Sequence, residues 1–254
     1  MPVRPLARDA VVLVTGASAG IGRSVTEQLT ARGLTVVGVG RDPEALRALQ
    51  ERTGATAVVA DLAHPDSAAQ VVDAALAAHG RLDAVVANAG VGHLGPVAEM
   101  SPERIAELVD VNLRAPMLLA RAALPALRRQ PRGALVFVGS IAGAVGVPGE
   151  TVYSATKAGL AVFADLLREE VRAGGITVST LVPGVVDTAF FQRRGAAYDR
   201  AVPRPLPVEQ VARRVVDLLD TGAPRRVEPR WLAVPARIAA TAPGLYRLLA
   251  RRFG

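Results

Sequence analysis

Tyr153 and Lys157 stand four positions apart at the start of a segment predicted to be helical, so both side chains leave the helix on one face. A free phenol titrates near pH 10 and is only about one part in a thousand ionised at neutral pH. An ammonium beside it stabilises the phenolate, so this pair is expected to lower the phenol's pKa and make Tyr153 a general acid and base. Tyr-x-x-x-Lys is often no more than an exposed pair on a helix. Here the chain holds three tyrosines, and Lys157 is the only lysine among its 30 strong cations. Arginine supplies charge everywhere else, but its broad guanidinium lacks the compact ammonium's three rotatable donors. Composition alone therefore marks Lys157 as a place where an ammonium is wanted.

A second group of residues suits a different task. Thr15-Gly16-Ala17-Ser18-Ala19-Gly20-Ile21-Gly22 follows a predicted strand and opens into a predicted helix. Glycines there permit a tight turn and let backbone N–H groups and the helix N-terminus approach a pyrophosphate. A glycine cluster alone is equally a tight turn. Its place in the first strand-to-helix turn of a repeating βα chain points to a dinucleotide.

The spacing Thr-Gly-x-x-x-Gly-x-Gly, together with Tyr153 and Lys157, resembles the short-chain dehydrogenase/reductase family. Further residues match in the family's order over roughly three quarters of the chain. Asp61-Leu62 is similar to the pair that contacts adenine, and Asn88-Ala89-Gly90 to the structural turn beside the cofactor. Pro183-Gly184, with Val186 and Thr188, resembles the segment at the nicotinamide carboxamide. Ser140 lies thirteen residues before Tyr153, where the family carries its catalytic serine, and Asn112 resembles the family's helix asparagine, which anchors a water behind the lysine. The resemblance thus implies a tetrad of Asn112, Ser140, Tyr153 and Lys157. It also implies an enzyme that exchanges hydride between a nicotinamide and a carbonyl or secondary alcohol.

The cofactor is expected to be NADP(H) rather than NAD(H). An NAD site usually ends its second strand with an acid for the ribose hydroxyls; here Gly40 takes that place and Arg41 follows, suited to a 2′-phosphate. Asp42 beside it argues the other way, and Arg41 also reads as a solvated loop cation. The resemblance assigns the substrate pocket to Ile141, Ala142, Glu150, Phe190 and Phe191, with His93 as a further lining residue, which suits an apolar substrate body. His64 and His79 read as solvated helix-end residues, and no cluster suggests a metal.

The elements that must position these residues are legible from periodicity. Apolar β-branched runs at Ala10–Val14, Thr35–Val39, Ala57–Ala60, Ala84–Ala87, Ala134–Val138 and Thr177–Leu181 predict buried parallel strands. Helices are predicted over Gly20–Arg32, Pro43–Thr53, Pro65–Ala78, Pro102–Arg129, Val152–Ala173 and Val208–Leu219. The expected architecture is α/β: one Rossmann-fold domain over residues 1–254, a doubly wound parallel sheet flanked by helices. Residues 187–206 break the pattern and read as a substrate lid, and 225–254 as an apolar and basic tail.

Composition narrows the function classes. The net charge of +7 invites nucleic acid, but the arginines are scattered and mixed with acids, with few aromatics between them. No apolar run is long enough to span a membrane, no export signal is visible, and without cysteine there is no disulfide framework; a cytoplasmic enzyme is expected. The tail's mix of apolar residues and arginines would suit peripheral membrane contact, yet Pro235 and Pro243 interrupt any long helix. Packing on the domain or on a second subunit is the reading adopted. The family resemblance implies homodimers or homotetramers built through the long helices. A non-catalytic NADP(H)-sensing or scaffold protein is the rival reading, and an intact tetrad argues against it. Extended epimerases and dehydratases share Tyr-x-x-x-Lys, but they are longer and differ in glycine spacing.

Overall fold

The computed structural model describes residues 5–196, 198, 203–244, 246 and 248. The apolar runs become strands β1 Val11–Thr15, β2 Thr35–Gly40, β3 Thr56–Val59, β4 Ala84–Ala87, β5 Gly133–Val138 and β6 Ile176–Pro183. A seventh, β7 Arg225–Glu228, completes a sheet of order β3-β2-β1-β4-β5-β6-β7 with all neighbours parallel. Residue alternation sends β1 side chains to two cores. Val12 and Val14 face one layer, while Val11 and Leu13 face the other.

The first layer holds α1 Gly20–Ala31, α2 Pro43–Thr53 and α9 Val208–Thr221. Their inner residues, Val25, Leu29, Leu46, Leu49, Val211 and Val215, are almost wholly buried. The second holds α3 Ser67–His79, α5 Ala115–Leu127 and α7 Thr151–Val171. Fully burying one such aliphatic side chain contributes about 1.5–3 kcal/mol, so both faces of the sheet must be covered for the strands to be this apolar. The sheet reverses its winding at β1, which pairs with β2 on one side and β4 on the other. A crevice opens there beyond the carboxyl ends of the strands.

Three features depart from the sequence reading. The long helix expected over Pro102–Arg129 is three pieces, α4 Pro102–Val109, a π-helical turn Asp110–Arg114, and α5. One extra residue in the turn rotates Asn112 inward, something that hydropathy at helical period does not register. The tail, in turn, contains β7 and the short helix α10 Ala233–Thr241. With the sequence Arg-Arg-Val-Glu, β7 carries no apolar signature. Pairing with β6 and a buried Glu228, bonded to Gln210 and Arg214, hold it at the sheet edge. Two short helices, α6 Ala142–Val145 and α8 Phe190–Arg193, lie where loops were expected. Residues 197 and 199–202 of the expected lid, and 245, 247 and 249–254 of the tail, lie outside the described residues.

Candidate active site

The glycine turn after β1 is built by close approach. Gly16 has φ +68°, and a Cβ on Gly22 would sit 2.3 Å from the Gly16 carbonyl oxygen and 2.6 Å from Nδ2 of Asn88. Gly22 therefore packs the helix start against the strand, leaving Gly16, Ser18, Gly20 and Ile21 on the open side. The neighbouring Asn88-Ala89-Gly90 turn is tied to the same strand end. Thr15 Oγ1 accepts from the backbone N–H of Asn88 and of Ala89, each at 3.0 Å, and Asn88 Nδ2 donates to the Thr15 carbonyl at 2.9 Å.

All of the predicted site residues border one cleft except Gly22, Asn112 and His93. The cleft measures about 1520 Å³, above the roughly 300–1,000 Å³ usual for a single drug-sized ligand. His93 turns away: its ring lies against Gly95, whose Cβ, if present, would be 3.1 Å from Nε2. Asn112 is wholly buried, with Oδ1 accepting from Val91 N–H at 2.9 Å and Nδ2 donating to the Val91 carbonyl at 2.8 Å. Each end of its amide bonds the loop behind the cleft. Asn112 therefore positions Gly90 and Val91 and, unlike the rest of the expected tetrad, reaches the cleft only through them.

At the other end β5 delivers Ser140 and α7 delivers Tyr153 and Lys157. The Ser140 hydroxyl accepts from Ala142 N–H at 3.1 Å and borders the same cleft as the Tyr153 phenol. Lys157 donates to the Val138 carbonyl at 3.1 Å, and its ammonium sits 5.8 Å from the centre of the Tyr153 ring. Burial governs both groups. It pushes the phenol up to about 12, with Ser140 pulling part of the way back, and brings the lysine down to about 8. The expected lowering of the phenol by Lys157 is thus reversed, because desolvation outweighs an ammonium that bonds Val138 rather than the phenolic oxygen.

The nucleotide end has an acid–base pattern of its own. Asp42 is the N-cap of α2, its Oδ1 accepting from Glu44 N–H at 3.1 Å and Ala45 N–H at 3.0 Å. Arg41 is more than half exposed and has only distant partners, Asp61 at 3.9 Å and Glu107 at 3.8 Å. Asp61 in turn accepts from Ala63 N–H at 3.0 Å. On the far wall Thr188 faces the glycine turn, 3.2 Å from where a Gly20 Cβ would stand. Gly184 is held by donation to the Glu228 carbonyl at 2.8 Å, so β7 helps to shape this wall.

Arg194, Leu232, Pro235 and Tyr246, none of them assigned to the pocket from the sequence, close the substrate end beside Glu150, Phe190 and Phe191. Arg194, in the segment expected to be a lid, forms a buried ion pair with Glu150, stacks 4.5 Å above the Phe191 ring, and accepts from Leu94 N–H through its carbonyl. Phe190 lies 5.6 Å from the Tyr153 ring. Leu232, Pro235 and Tyr246 of the tail also border the cleft. Arg194, Leu232, Pro235 and Tyr246 carried no sequence signal of a place in the pocket, since they are remote in the chain from any motif. Among the described residues no His, Cys, Asp or Glu cluster is arranged to hold a metal, and no helix is long and apolar enough to cross a membrane.

Comparison with known proteins places this architecture. The short-chain dehydrogenase profile matches residues 10–199. An uncharacterized oxidoreductase of Myxococcus xanthus is 34% identical, covering 94% of this chain and 96% of that protein. The 3-oxoacyl-acyl-carrier-protein reductase of Escherichia coli is 33% identical over 70% of this chain and 74% of its own. Among solved structures, a short-chain dehydrogenase from Sphingobium yanoikuyae in complex with NADPH superposes with TM-score 0.81 at 30% identity, over 95% of each chain. One from Burkholderia phymatum in complex with NAD shares the fold, with TM-score 0.84 at 22% identity over 93% of this chain and 95% of its own. With its seven-stranded Rossmann sheet, its glycine turn and its Ser140–Tyr153–Lys157 arrangement at one cleft, the chain belongs to the short-chain dehydrogenase family of oxidoreductases.

Proposed function

We propose that this protein is an NADP(H)-dependent oxidoreductase acting on a carbonyl or secondary alcohol with an apolar body. The observation that carries the proposal is the convergence of the Ser140 hydroxyl and the Tyr153 phenol on one cleft wall, with Lys157 beneath them and the glycine turn opposite. The residues fit a dinucleotide. Close packing at Gly16 and Gly22 draws the strand end and the helix start together, and Gly16, Ser18, Gly20 and Ile21 then line the cleft with the N-terminus of α1, the arrangement that suits a pyrophosphate. When bound, a nicotinamide supplies a hydride donor or acceptor. Ser140 and Tyr153 hydrogen-bond the substrate oxygen, Tyr153 gives or takes the proton, and Lys157 holds a positive charge beneath the phenol. Asn112 keeps Gly90 and Val91 in place against this group.

The preference for NADP(H) is supported by Arg41, exposed and loosely partnered, and by Asp42, whose Oδ1 is committed to capping α2. The apolar substrate body is supported by Ile141, Phe190 and Phe191 on the cleft wall, and by the tail residues Leu232 and Pro235. Assembly as a homodimer or homotetramer is supported by Val162 and Leu166, which α7 leaves about 60% exposed. A panel of aldehydes, ketones and secondary alcohols, assayed with NADPH and NADH by nicotinamide absorbance, tests the proposal. Turnover with NADPH on apolar carbonyls is expected. Turnover with NADH alone refutes the cofactor assignment, and a Tyr153→Phe variant as active as the wild type refutes the mechanism.

A further inference from the structure

We infer that the outer side of the segment from Arg230 to Arg237, together with Leu248, is a docking surface for an anionic membrane, set beside the mouth of the cleft. The segment has two sides of different character. Leu232, Pro235 and Tyr246 face inward and border the cleft, and α10 packs on α6. Outward, at helical spacing, stand Trp231, Val234 and Arg237, with Arg230 adjacent. Trp231 is 51% exposed, Val234 59% and Leu248 66%. Large apolar side chains with this exposure cost free energy in water unless another phase covers them.

Charge identifies the phase. From Pro229 to Gly254 the chain contains five arginines and neither Asp nor Glu. Elsewhere many arginines find carboxylates, as Arg32 does with Asp220, Arg52 with Glu27 and Arg168 with Asp165. Among the described residues Arg230 and Arg237 form no ion pair. An apolar face flanked by Arg230 and Arg237, with no acid in this part of the sequence, complements an anionic lipid surface, with tryptophan at the depth where amphipathic rings settle. It is a poor match for its own copy, because a two-fold interface would bring the same acid-free surface against itself. Docking does not depend on the reaction proposed above. If that reaction holds as well, the cleft mouth faces the bilayer and an apolar substrate passes in between Leu232 and the lid.

Trp231 is the chain's single tryptophan, so its fluorescence reports this face directly. The wild-type protein is titrated with vesicles of phosphatidylcholine containing phosphatidylglycerol, and separately with phosphatidylcholine alone. Anionic vesicles are expected to shift the emission to the blue and shield it from acrylamide; the effect should weaken at about 0.5 M salt, where charges are screened within a few ångströms. Each charge near an anionic surface changes partitioning roughly fivefold, so Arg230→Glu with Arg237→Glu, a change of four charges, should weaken binding by several hundredfold. Neither residue borders the cleft, and turnover on a soluble substrate should be unchanged. The inference is overturned by an emission that ignores anionic vesicles or responds equally to neutral ones. It is also overturned by a blue shift that grows with protein concentration without lipid, which would mean that a second copy covers the face.

Discussion

Glu150 and Arg194 offer the sharpest test of how the lid is held. The carboxylate belongs to the N-cap residue of α7, and the guanidinium to the residue that follows α8. Their side chains are 8% and 9% exposed, respectively. Glu150→Gln preserves shape and the backbone bond from Ser154 N–H to the Glu150 carbonyl, but leaves Arg194 as a buried charge facing a neutral amide. Breaking a buried ion pair by removing one partner costs about 3–5 kcal/mol, and the amide oxygen still accepts a hydrogen bond, so the lower value applies. The lid has a way to avoid that cost, by lifting locally into water while the sheet stays folded. With the closed state still the populated one, about 3 kcal/mol is roughly a hundredfold rise in the open fraction, and the same loss should lower the melting temperature by several degrees. Trypsin reads that fraction through cleavage after Arg193, provided that opening is fast compared with cutting. The single variant should be nicked about a hundred times faster than the wild type. Glu150→Leu combined with Arg194→Leu should restore protection, since an apolar pair of similar volume replaces a buried ion pair at little or no cost. Wild-type nicking rates in Glu150→Gln, or rapid nicking in the double variant, would refute the claim that this pair holds the lid shut.

Four further outcomes are expected. Tyr153→Phe should lose at least two orders of magnitude in turnover while dinucleotide affinity, read by fluorescence, stays within a few fold, because only the proton carrier is removed. Arg41→Ala should weaken NADPH by about tenfold and leave NADH unchanged, the exposure of Arg41 keeping the loss at the low end of a charge-assisted hydrogen bond; equal weakening of both would reassign Arg41. Lys157→Arg should be about as inactive as Lys157→Met although both fold, whereas near-normal turnover with arginine would show that charge alone suffices. Without cofactor, Lys157→Met should melt higher than the wild type at pH 7, by about 1–2 kcal/mol after allowing for the unpaired Val138 carbonyl. The sign follows from a folded-state pKa of about 8 against 10.5 unfolded: between these values the unfolded chain binds more protons, so wild-type stability rises with pH and the variant's advantage should vanish by about pH 10. A difference independent of pH would mean that Lys157 is not desolvated as described.

The β1 to β6 strands, the glycine turn and the Tyr153–Lys157 pair are readable because their signals are local. A strand buried on both faces must be apolar throughout, a close backbone approach needs glycine, and a helix carries positions i and i+4 to one side. These constraints act within a few residues, so composition and spacing record them. Tertiary structure alone decided the rest, where partners meet from distant parts of the chain. The π-helical turn at Asn112 depends on the Val91 loop that takes both ends of its amide, and no hydropathy pattern marks it. β7 exists because β6 offers an edge and Glu228 finds Gln210 and Arg214, although Arg-Arg-Val-Glu alone reads as a loop. His93 sits three residues after the Asn-Ala-Gly turn, yet it turns toward Gly95 and leaves the cleft wall to Arg194, Leu232 and Pro235. The direction of the Tyr153 shift was decided in the same way: spacing shows that a cation is near, but only packing sets how much water the phenol loses, and desolvation proved the larger effect.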